Sequence, residues 1–250
     1  MPQAAHEPLD STAAQPVQSE TYPFWGYLDL AAFIMVALLG LVVENLVLTA
    51  FLSAEQLKKA YVQVPAQFAL YAFLLSMLAM VFRRYYHRPF WESIRWVPAR
   101  VSSSFLVSCG IMLALGVMLA SVALRTPDIN SPMKQLLSDK MSVVLLAVVG
   151  TTIGPACEEI IFRGFLQPLL VRSTGAIPGI FLAALPFALL HLQEYAYSWR
   201  HVLMICVAGA AFGLVREKTG STRAAAIMHA SYNFVFFLLL TAQQFAPHRT

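Results

Sequence analysis

Two adjacent glutamates and an arginine stand in a segment that is otherwise apolar, Cys157–Leu170, with the sequence CEEIIFRGFLQPLL. An ionisable side chain in a bilayer core is costly, so it usually faces a bundle interior or a water-filled cavity and marks function. Glu159 and Arg163 are four residues apart with the acid first, so they can form an ion pair along one helix. Glu158 has no such partner in its own segment and is the candidate general base.

Three more polar side chains follow on later apolar segments. His191 ends the sequence FALLH, one helical turn after Phe187, and the sequence HASYN carries His229 and Asn233. The i, i+4 spacing directs His229 and Asn233 to the same side of a helix. Together with Glu158 these residues have the chemistry for hydrolysis: a base for water, a group to hold that water, and donors for a developing oxyanion.

Each of these residues also has a structural interpretation. The glutamate–arginine pair could serve only the fold, an intramembrane histidine is often satisfied by a helix backbone, and Asn233 could join two helices. Depth raises a further question, because His191 lies near the end of its span whereas His229 lies about two turns into a span that enters from the opposite side. A tilted, short or kinked helix is needed to bring the two imidazoles level.

The composition places these residues in a membrane protein. Of the 250 residues, 58% are hydrophobic and 12% are charged, and the mean hydropathy is +0.65, which is too apolar for a soluble domain. The formal net charge of +4 comes from basic residues that flank apolar stretches, which argues against a nucleic-acid partner. The three cysteines lie in apolar segments and predict no disulfide framework.

The hydropathy pattern predicts an all-α fold, a polytopic transmembrane helical bundle of about seven spans whose C-terminal helices form a catalytic cavity. Residues 1–21 are polar, carry no signal peptide and predict a disordered tail, and residues 22–250 predict a single transmembrane domain. A bend is expected at Gly154 and Pro155, just before Glu158. The spans are expected at about 25–52, 64–82, 101–124, 141–171, 175–192, 202–215 and 223–240.

The connection at residues 83–100 mixes arginines with aromatic residues. Its basic density predicts a cytoplasmic location for this connection and hence for the N-terminus. Pro89 and Pro98 bracket a short helix expected at the membrane interface, with three apolar residues on one face, namely Phe90, Trp91 and Ile94.

Other polar residues are interpreted as structural. Glu44 and Asn45 lie inside the first span, where a neighbouring helix or water could satisfy them. Glu194 and His201 lie in a short polar connection and are expected to be solvated loop residues. Cys157 has no activating neighbour in the sequence and is expected to contribute packing.

Three motifs occur in order on successive apolar segments, over about residues 154–237: EExxxR (Glu158, Glu159, Arg163), FxxxH (Phe187, His191) and HxxxN (His229, Asn233). In this order they resemble the CAAX protease and bacteriocin-processing family, also called the Abi family, of intramembrane endopeptidases. The resemblance places the family core at about residues 141–240. The first 140 residues contribute only compatible apolar spans.

The resemblance implies a role for each matching residue. Glu158 would activate the attacking water with help from His191, while His229 and Asn233 would stabilise the oxyanion and the Glu159–Arg163 pair would organise the site. The family is commonly called a metalloprotease family, and a carboxylate with two histidines could supply three zinc ligands. The chain lacks an HExxH motif, and we expect no obligatory metal.

The resemblance also implies a substrate class, a peptide bond of a membrane-associated protein or peptide, lipidated in some members, and it implies a multi-pass location in the bacterial inner membrane. Related members act in immunity or as scaffolds, so a non-enzymatic membrane protein built on the same bundle is the alternative. A small proton-coupled transporter is a third interpretation. The sequence contains no internal repeat in its favour.

Overall fold

The computed structural model describes residues 21–127, 132–137 and 139–245, and within these ranges it is helical, without β-strands. The predicted all-α fold is confirmed. The disordered tail predicted for residues 1–21 lies outside the described residues, apart from Thr21. The helices are, in chain order, α1 (Tyr27–Phe51), α2 (Ala54–Leu57), α3 (Ala60–Arg84), α4 (Phe90–Ser93), α5 (Ser103–Ala123), α6 (Pro132–Leu136), α7 (Lys140–Gly150), α8 (Ile153–Glu159), a π-helical segment (Ile160–Leu166), α9 (Gln167–Thr174), α10 (Ala176–Leu190), α11 (Trp199–Thr219) and α12 (Thr222–Phe245).

The predicted spans all coincide with helices, but fewer of them have the length and composition of a complete span. Among the described residues, four helices are long and apolar enough to cross a membrane: α1, α3, α5 and α12. The run from α7 to α9 bends by 42° and makes a fifth if it is counted as one span. The fifth and sixth predicted spans correspond to α10, which has only 15 residues, and to α11. These helices make the chain an integral membrane protein.

The bend in the fourth predicted span lies earlier than the sequence indicated. It falls at Thr151 and Thr152, between α7 and α8, rather than at Gly154 and Pro155. The Thr151 hydroxyl donates back to the Ala147 carbonyl oxygen over 2.7 Å. Pro155 occupies the first turn of α8, where its missing N–H is tolerated, so proline does not itself break the helix.

A π-helical segment follows Glu159 directly. One extra residue per turn distinguishes this conformation, which is uncommon and often occurs at functional sites. A close contact from outside the segment accompanies it: a Cβ atom at Gly164 would lie 3.0 Å from the Cβ atom of Ile94, so a larger residue would require Ile94 to shift. The short connection around Ile94 therefore packs directly on the segment that carries Arg163.

An aromatic cluster beneath the π-helical segment fixes the N-terminal helices. Trp25 is fully buried, and its indole Nε1 donates to the Phe165 carbonyl oxygen over 3.0 Å. Its ring lies 5.6 Å from the Phe165 ring and 5.0 Å from the Phe82 ring, measured between centroids. Since Phe82 belongs to α3, this cluster holds α3 against the segment that carries the candidate catalytic residues.

Close packing between backbones places the C-terminal helices. A Cβ atom at Gly110 of α5 would lie 2.4 Å from the Met228 carbonyl oxygen of α12, and one at Gly179 of α10 would lie 2.6 Å from the Val171 backbone. Gly179 therefore allows α10 to pack directly on the backbone of α9. Gly175 instead ends α9 with a φ of 88°, a conformation that glycine adopts readily.

The expectation for the short helix between the prolines needs correction, and one of the two alternatives for Glu44 is excluded. The short helix between the prolines exists as α4, but Trp91 is 56% exposed, so it does not share the buried face of Phe90 and Ile94. Glu44 is half-buried on α1, and among the described residues no hydrogen bond or ion pair from another helix reaches its side chain. A neighbouring helix within the described chain thus does not satisfy Glu44.

Candidate active site

The candidate residues surround one cavity of about 1060 Å³. Its walls come from the beginnings of α3, α7 and α11 and from the ends of α5, α10 and α12, which all lie at one end of the bundle. Glu158, His191, His229 and Asn233 line the cavity. Glu159 and Arg163 lie behind its wall and are fully buried. The cavity thus opens on the side opposite the basic connection at residues 83–100.

A buried ion pair orients His229 from behind. Glu159 Oε1 accepts two hydrogen bonds of 2.9 Å, one from Arg163 Nη1 and one from His229 Nδ1. Because the carboxylate only accepts, the His229 proton on this side must be on Nδ1, and Nε2 is left to face the cavity. The His229 ring also stacks on the Phe212 ring, with centroids 4.4 Å apart and planes 17° apart.

The backbone carbonyls of two α11 glycines accept hydrogen bonds from polar side chains of the π-helical segment and α9. Arg163 Nη2 donates to the Gly209 carbonyl oxygen over 2.7 Å, and Gln167 Nε2 donates to the Gly213 carbonyl oxygen over 2.9 Å. A Cβ atom at Gly209 would lie 3.0 Å from Arg163 Nη2 and 2.9 Å from the Phe187 ring. Gly209 thus makes room for the guanidinium that holds Glu159.

Glu158 faces the cavity and is partly exposed, with 22% of its side-chain surface accessible. Its Oε1 accepts a 3.3 Å hydrogen bond from the Tyr71 hydroxyl of α3, and its Oε2 lies 3.8 Å from His229 Nε2. The second distance is too long for a direct hydrogen bond. Sequence reasoning sought partners for Glu158 only on later spans and missed Tyr71, an earlier residue without a recognisable motif.

His191 ends α10 and presents one ring nitrogen to the cavity side. Its Nδ1 lies 2.8 Å from the Phe187 carbonyl oxygen, so the proton on that side is on Nδ1. In the neutral ring, Nε2 is then an acceptor. This is the arrangement a histidine needs to hold a water molecule through one of the water's protons.

The shortness of α10 removes the expected difference in depth between the two histidines. The Phe187 ring lies 5.0 Å from the His191 ring and 5.8 Å from the His229 ring, measured between centroids. One aromatic ring thus contacts both imidazoles. α10 ends after 15 residues, just before His191, so both imidazoles face the same part of the cavity.

Asn233 lies one turn after His229 and contacts α7. Its Nδ2 donates to the Gly150 carbonyl oxygen over 2.8 Å, which is one of the carbonyls left without a helical partner at the end of α7. This hydrogen bond fixes the amide and uses one of its two N–H groups. The second N–H group is available for another acceptor.

The connection after α10 belongs to the cavity wall, which corrects its interpretation as a solvated loop. Glu194 and His201 both line the cavity, and the Tyr195 ring stacks on the His201 ring with centroids 5.0 Å apart. Burial raises the pKa of the Glu194 carboxyl, while the nearby His191 opposes that rise. Sequence reasoning missed Glu194 because the burial of a loop residue depends on contacts distant in the chain.

The described residues do not fit a zinc centre. A structural or catalytic zinc ion needs at least three nitrogen, oxygen or sulfur ligands about 2 Å from the metal. In the part of the chain that the structure describes, no three His, Cys, Asp or Glu side chains group closely enough to hold a metal ion. The metalloprotease class is therefore not supported.

The fold and the site define a class of protein, a helical integral membrane protein with a carboxylate, two histidines and an asparagine around an internal cavity. Residues 140–235 match the family model described as Type II CAAX prenyl endopeptidase Rce1-like. The resemblance indicated by the three motifs is thereby confirmed over this part of the chain, and it supports a protease type of activity. Neither the comparison with curated proteins nor the comparison with solved structures gave a match.

Proposed function

We propose that this protein is a CAAX-type intramembrane endopeptidase that hydrolyses a peptide bond of a membrane-associated, lipidated protein or peptide. One observation carries the proposal: Glu158, His191, His229 and Asn233, from three helices, line the same cavity. The family match over residues 140–235 supports the substrate class. We expect the protein to work in the inner membrane of a bacterium.

In the proposed reaction, Glu158 acts as the base for the attacking water. Glu158 Oε2 takes one proton of the water, His191 Nε2 accepts the other in a hydrogen bond, and the water oxygen bonds to the substrate carbonyl carbon. Glu158 Oε2, an acceptor, and His229 Nε2 lie 3.8 Å apart on the cavity side, so both can contact one reacting group in the cavity. Hydrogen bonding from Tyr71 to Oε1 keeps the carboxylate turned toward this position.

The carbonyl oxygen becomes an oxyanion that needs fixed donors. The Nδ1 proton of His229 is held by Glu159, so protonated His229 donates to the oxyanion through Nε2. Asn233 donates to the oxyanion through its second N–H group. When the intermediate collapses, the carbon–nitrogen bond breaks and Glu158 passes its proton to the leaving nitrogen. The net reaction adds one water molecule across the peptide bond, and Glu158 returns to its ionised form.

We further propose that no metal is obligatory, since the base and the oxyanion donors come from side chains. Activity that persists after dialysis against a zinc chelator would agree with this. Activity that disappears and returns on addition of zinc would refute it.

The function is tested with purified protein reconstituted into liposomes and a farnesylated CaaX peptide. Mass spectrometry should identify cleavage of one peptide bond by the wild-type protein and none by Glu158→Ala. Both proteins should show the same thermal unfolding. An intact peptide after incubation with folded wild-type protein would contradict the proposal and favour the non-enzymatic alternative.

A further inference from the structure

The cavity wall formed by α3 is polar along one line, although α3 is otherwise an apolar span. Gln63, Gln67 and Tyr71 follow each other at intervals of four residues, and all three line the cavity. Gln63 and Gln67 are exposed, whereas Tyr71 is half-buried and reaches Glu158. The line, which we call the α3 track, therefore runs from the mouth of the cavity to the candidate base.

Gln63 has an engaged donor, and both glutamines have a free acceptor. Gln63 Nε2 donates to the Leu57 carbonyl oxygen over 2.9 Å. Gln67 lies one turn before Tyr71 and lines the same wall. Among the described residues, neither glutamine Oε1 accepts a hydrogen bond, so the track offers two carbonyl oxygens to the cavity.

The spacing of these oxygens matches an extended peptide. Residues four apart on a helix are separated by about 6 Å along its axis. Alternate residues of an extended chain, whose N–H groups point the same way, are separated by about 6.6 Å. Two successive glutamines can therefore accept hydrogen bonds from two alternate N–H groups, and the next step along the track leads to Tyr71 and Glu158.

The opposite walls suit the side chains of such a peptide. They are formed by aliphatic residues of α5, α7 and α11, including Val117, Leu146 and Met204. A polar line on one wall with apolar walls around it is the arrangement that binds a main chain by hydrogen bonds and apolar side chains by burial.

We propose that the α3 track binds the main chain of an extended, apolar substrate segment next to the cleaved bond, through Gln63 Oε1 and Gln67 Oε1. The inference rests on the proposed endopeptidase function and adds a specificity element to it. Recognition through the main chain explains how one cavity can accept differing apolar side chains. Tyr71 joins the track to the base, so a peptide seated on both glutamines brings its next carbonyl to Glu158.

The test combines two variants with a set of farnesylated CaaX peptides, each carrying one N-methylated main-chain amide. Methylation removes a single N–H donor. At one position it should lower kcat/KM for the wild-type protein by about two- to tenfold, the effect of one net hydrogen bond. The same methylation should have no further effect on Gln67→Leu. A second position, two residues away, should show the same coupling to Gln63→Leu.

Gln135→Leu is the matched control, because Gln135 is exposed on α6 and does not line the cavity. It should keep the wild-type kcat/KM and both methylation effects. If methylation costs the same in the glutamine variants as in the wild-type protein at every position, the α3 track does not bind the main chain and the inference is wrong.

The same experiment separates this inference from the proposed function. Cleavage by the wild-type protein without any coupling would refute the α3 track alone. Absence of cleavage by folded protein would refute the endopeptidase. In that event, fluorescence anisotropy of dansylated peptides still decides the track, because the dissociation constants must show the coupling that the rates cannot.

Discussion

Replacing Glu159 by glutamine should separate the stability of the site from its chemistry. Glu159 Oε1 accepts from Arg163 and from His229, and no part of Glu159 or Arg163 is exposed. Glu159→Gln leaves the Arg163 charge buried without its counter-ion, which costs about 3–5 kcal/mol in comparable sites. Since the Gly209 carbonyl oxygen still accepts from Arg163, we expect a loss near the lower end of that range, or about 3 kcal/mol.

Removing the guanidinium as well should restore the fold and leave the chemistry impaired. In Glu159→Gln/Arg163→Met no charge remains unpaired, and replacement of a whole buried pair is often neutral. The neutral glutamine amide no longer stabilises the positive charge on the His229 ring that the proposed oxyanion step requires, and loss of one oxyanion donor lowers kcat by about 10²–10³-fold. We therefore expect near wild-type thermal unfolding in detergent and kcat lower by about 10²–10³-fold.

The assay is thermal unfolding in detergent paired with peptide cleavage in liposomes. Wild-type kcat in the double variant would show that the carboxylate does not stabilise the charge on His229. Wild-type stability in the single variant Glu159→Gln would show that Arg163 does not depend on this carboxylate, and either result would refute the reasoning.

Three further predictions address the surroundings of the pair. Gly209→Ala should displace Arg163 and lower stability by about 1–3 kcal/mol with loss of cleavage. Gly116→Ala, with open space around it, should be neutral. Equal unfolding temperatures of the two variants would contradict this. Tyr71→Phe should lower kcat about two- to tenfold without changing stability, and an unchanged kcat would exclude a role in positioning Glu158. Glu194 has a pKa raised by burial above its ordinary value of 4.5, so stability is lost as pH rises from that value to the pKa of the folded state. The unfolding temperature of Glu194→Gln relative to the wild-type protein should therefore rise with pH above 4.5 and level off once the carboxyl of the folded protein is ionised; a pH-independent difference would contradict it.

The local features of the site follow from the sequence because they depend on helical spacing. The i, i+4 relation of Glu159 and Arg163 predicts their ion pair, and the structure contains it at 2.9 Å. The predicted roles of the six site residues remain predictions until catalysis is measured. The distribution of apolar segments likewise predicts where the helices lie, since a membrane span requires a long apolar run.

The parts of the site that the sequence did not predict depend on contacts between residues distant in the chain. Tyr71 reaches Glu158 across 87 positions of the chain, and Arg163 reaches the Gly209 carbonyl across 46 positions. A tyrosine on an apolar helix and a glycine in a small-residue pattern have many ordinary structural explanations. Only the packing of α3 and α11 against α8 and the π-helical segment shows that these two residues contact the charged groups.

The depth of α10 shows a second limit of sequence reasoning. In an ideal bundle of complete spans, His191 and His229 would lie at different depths. In the structure both imidazole rings contact the Phe187 ring. The two histidines come close because α10 is short, with 15 residues. The hydropathy pattern extends beyond that helix to Leu192 and so predicts a longer span than the one that forms.

The most direct test of the account is the rate of peptide cleavage by Glu158→Gln in liposomes. The amide has nearly the same shape as the carboxylate but cannot take a proton from water. For Glu158→Gln we expect unchanged thermal unfolding and kcat lower by about 10²–10⁴-fold, the usual contribution of a general base. Glu217→Gln, a change of the same kind away from the cavity, should retain the wild-type rate. A wild-type rate in Glu158→Gln would contradict the central claim that Glu158 activates the water.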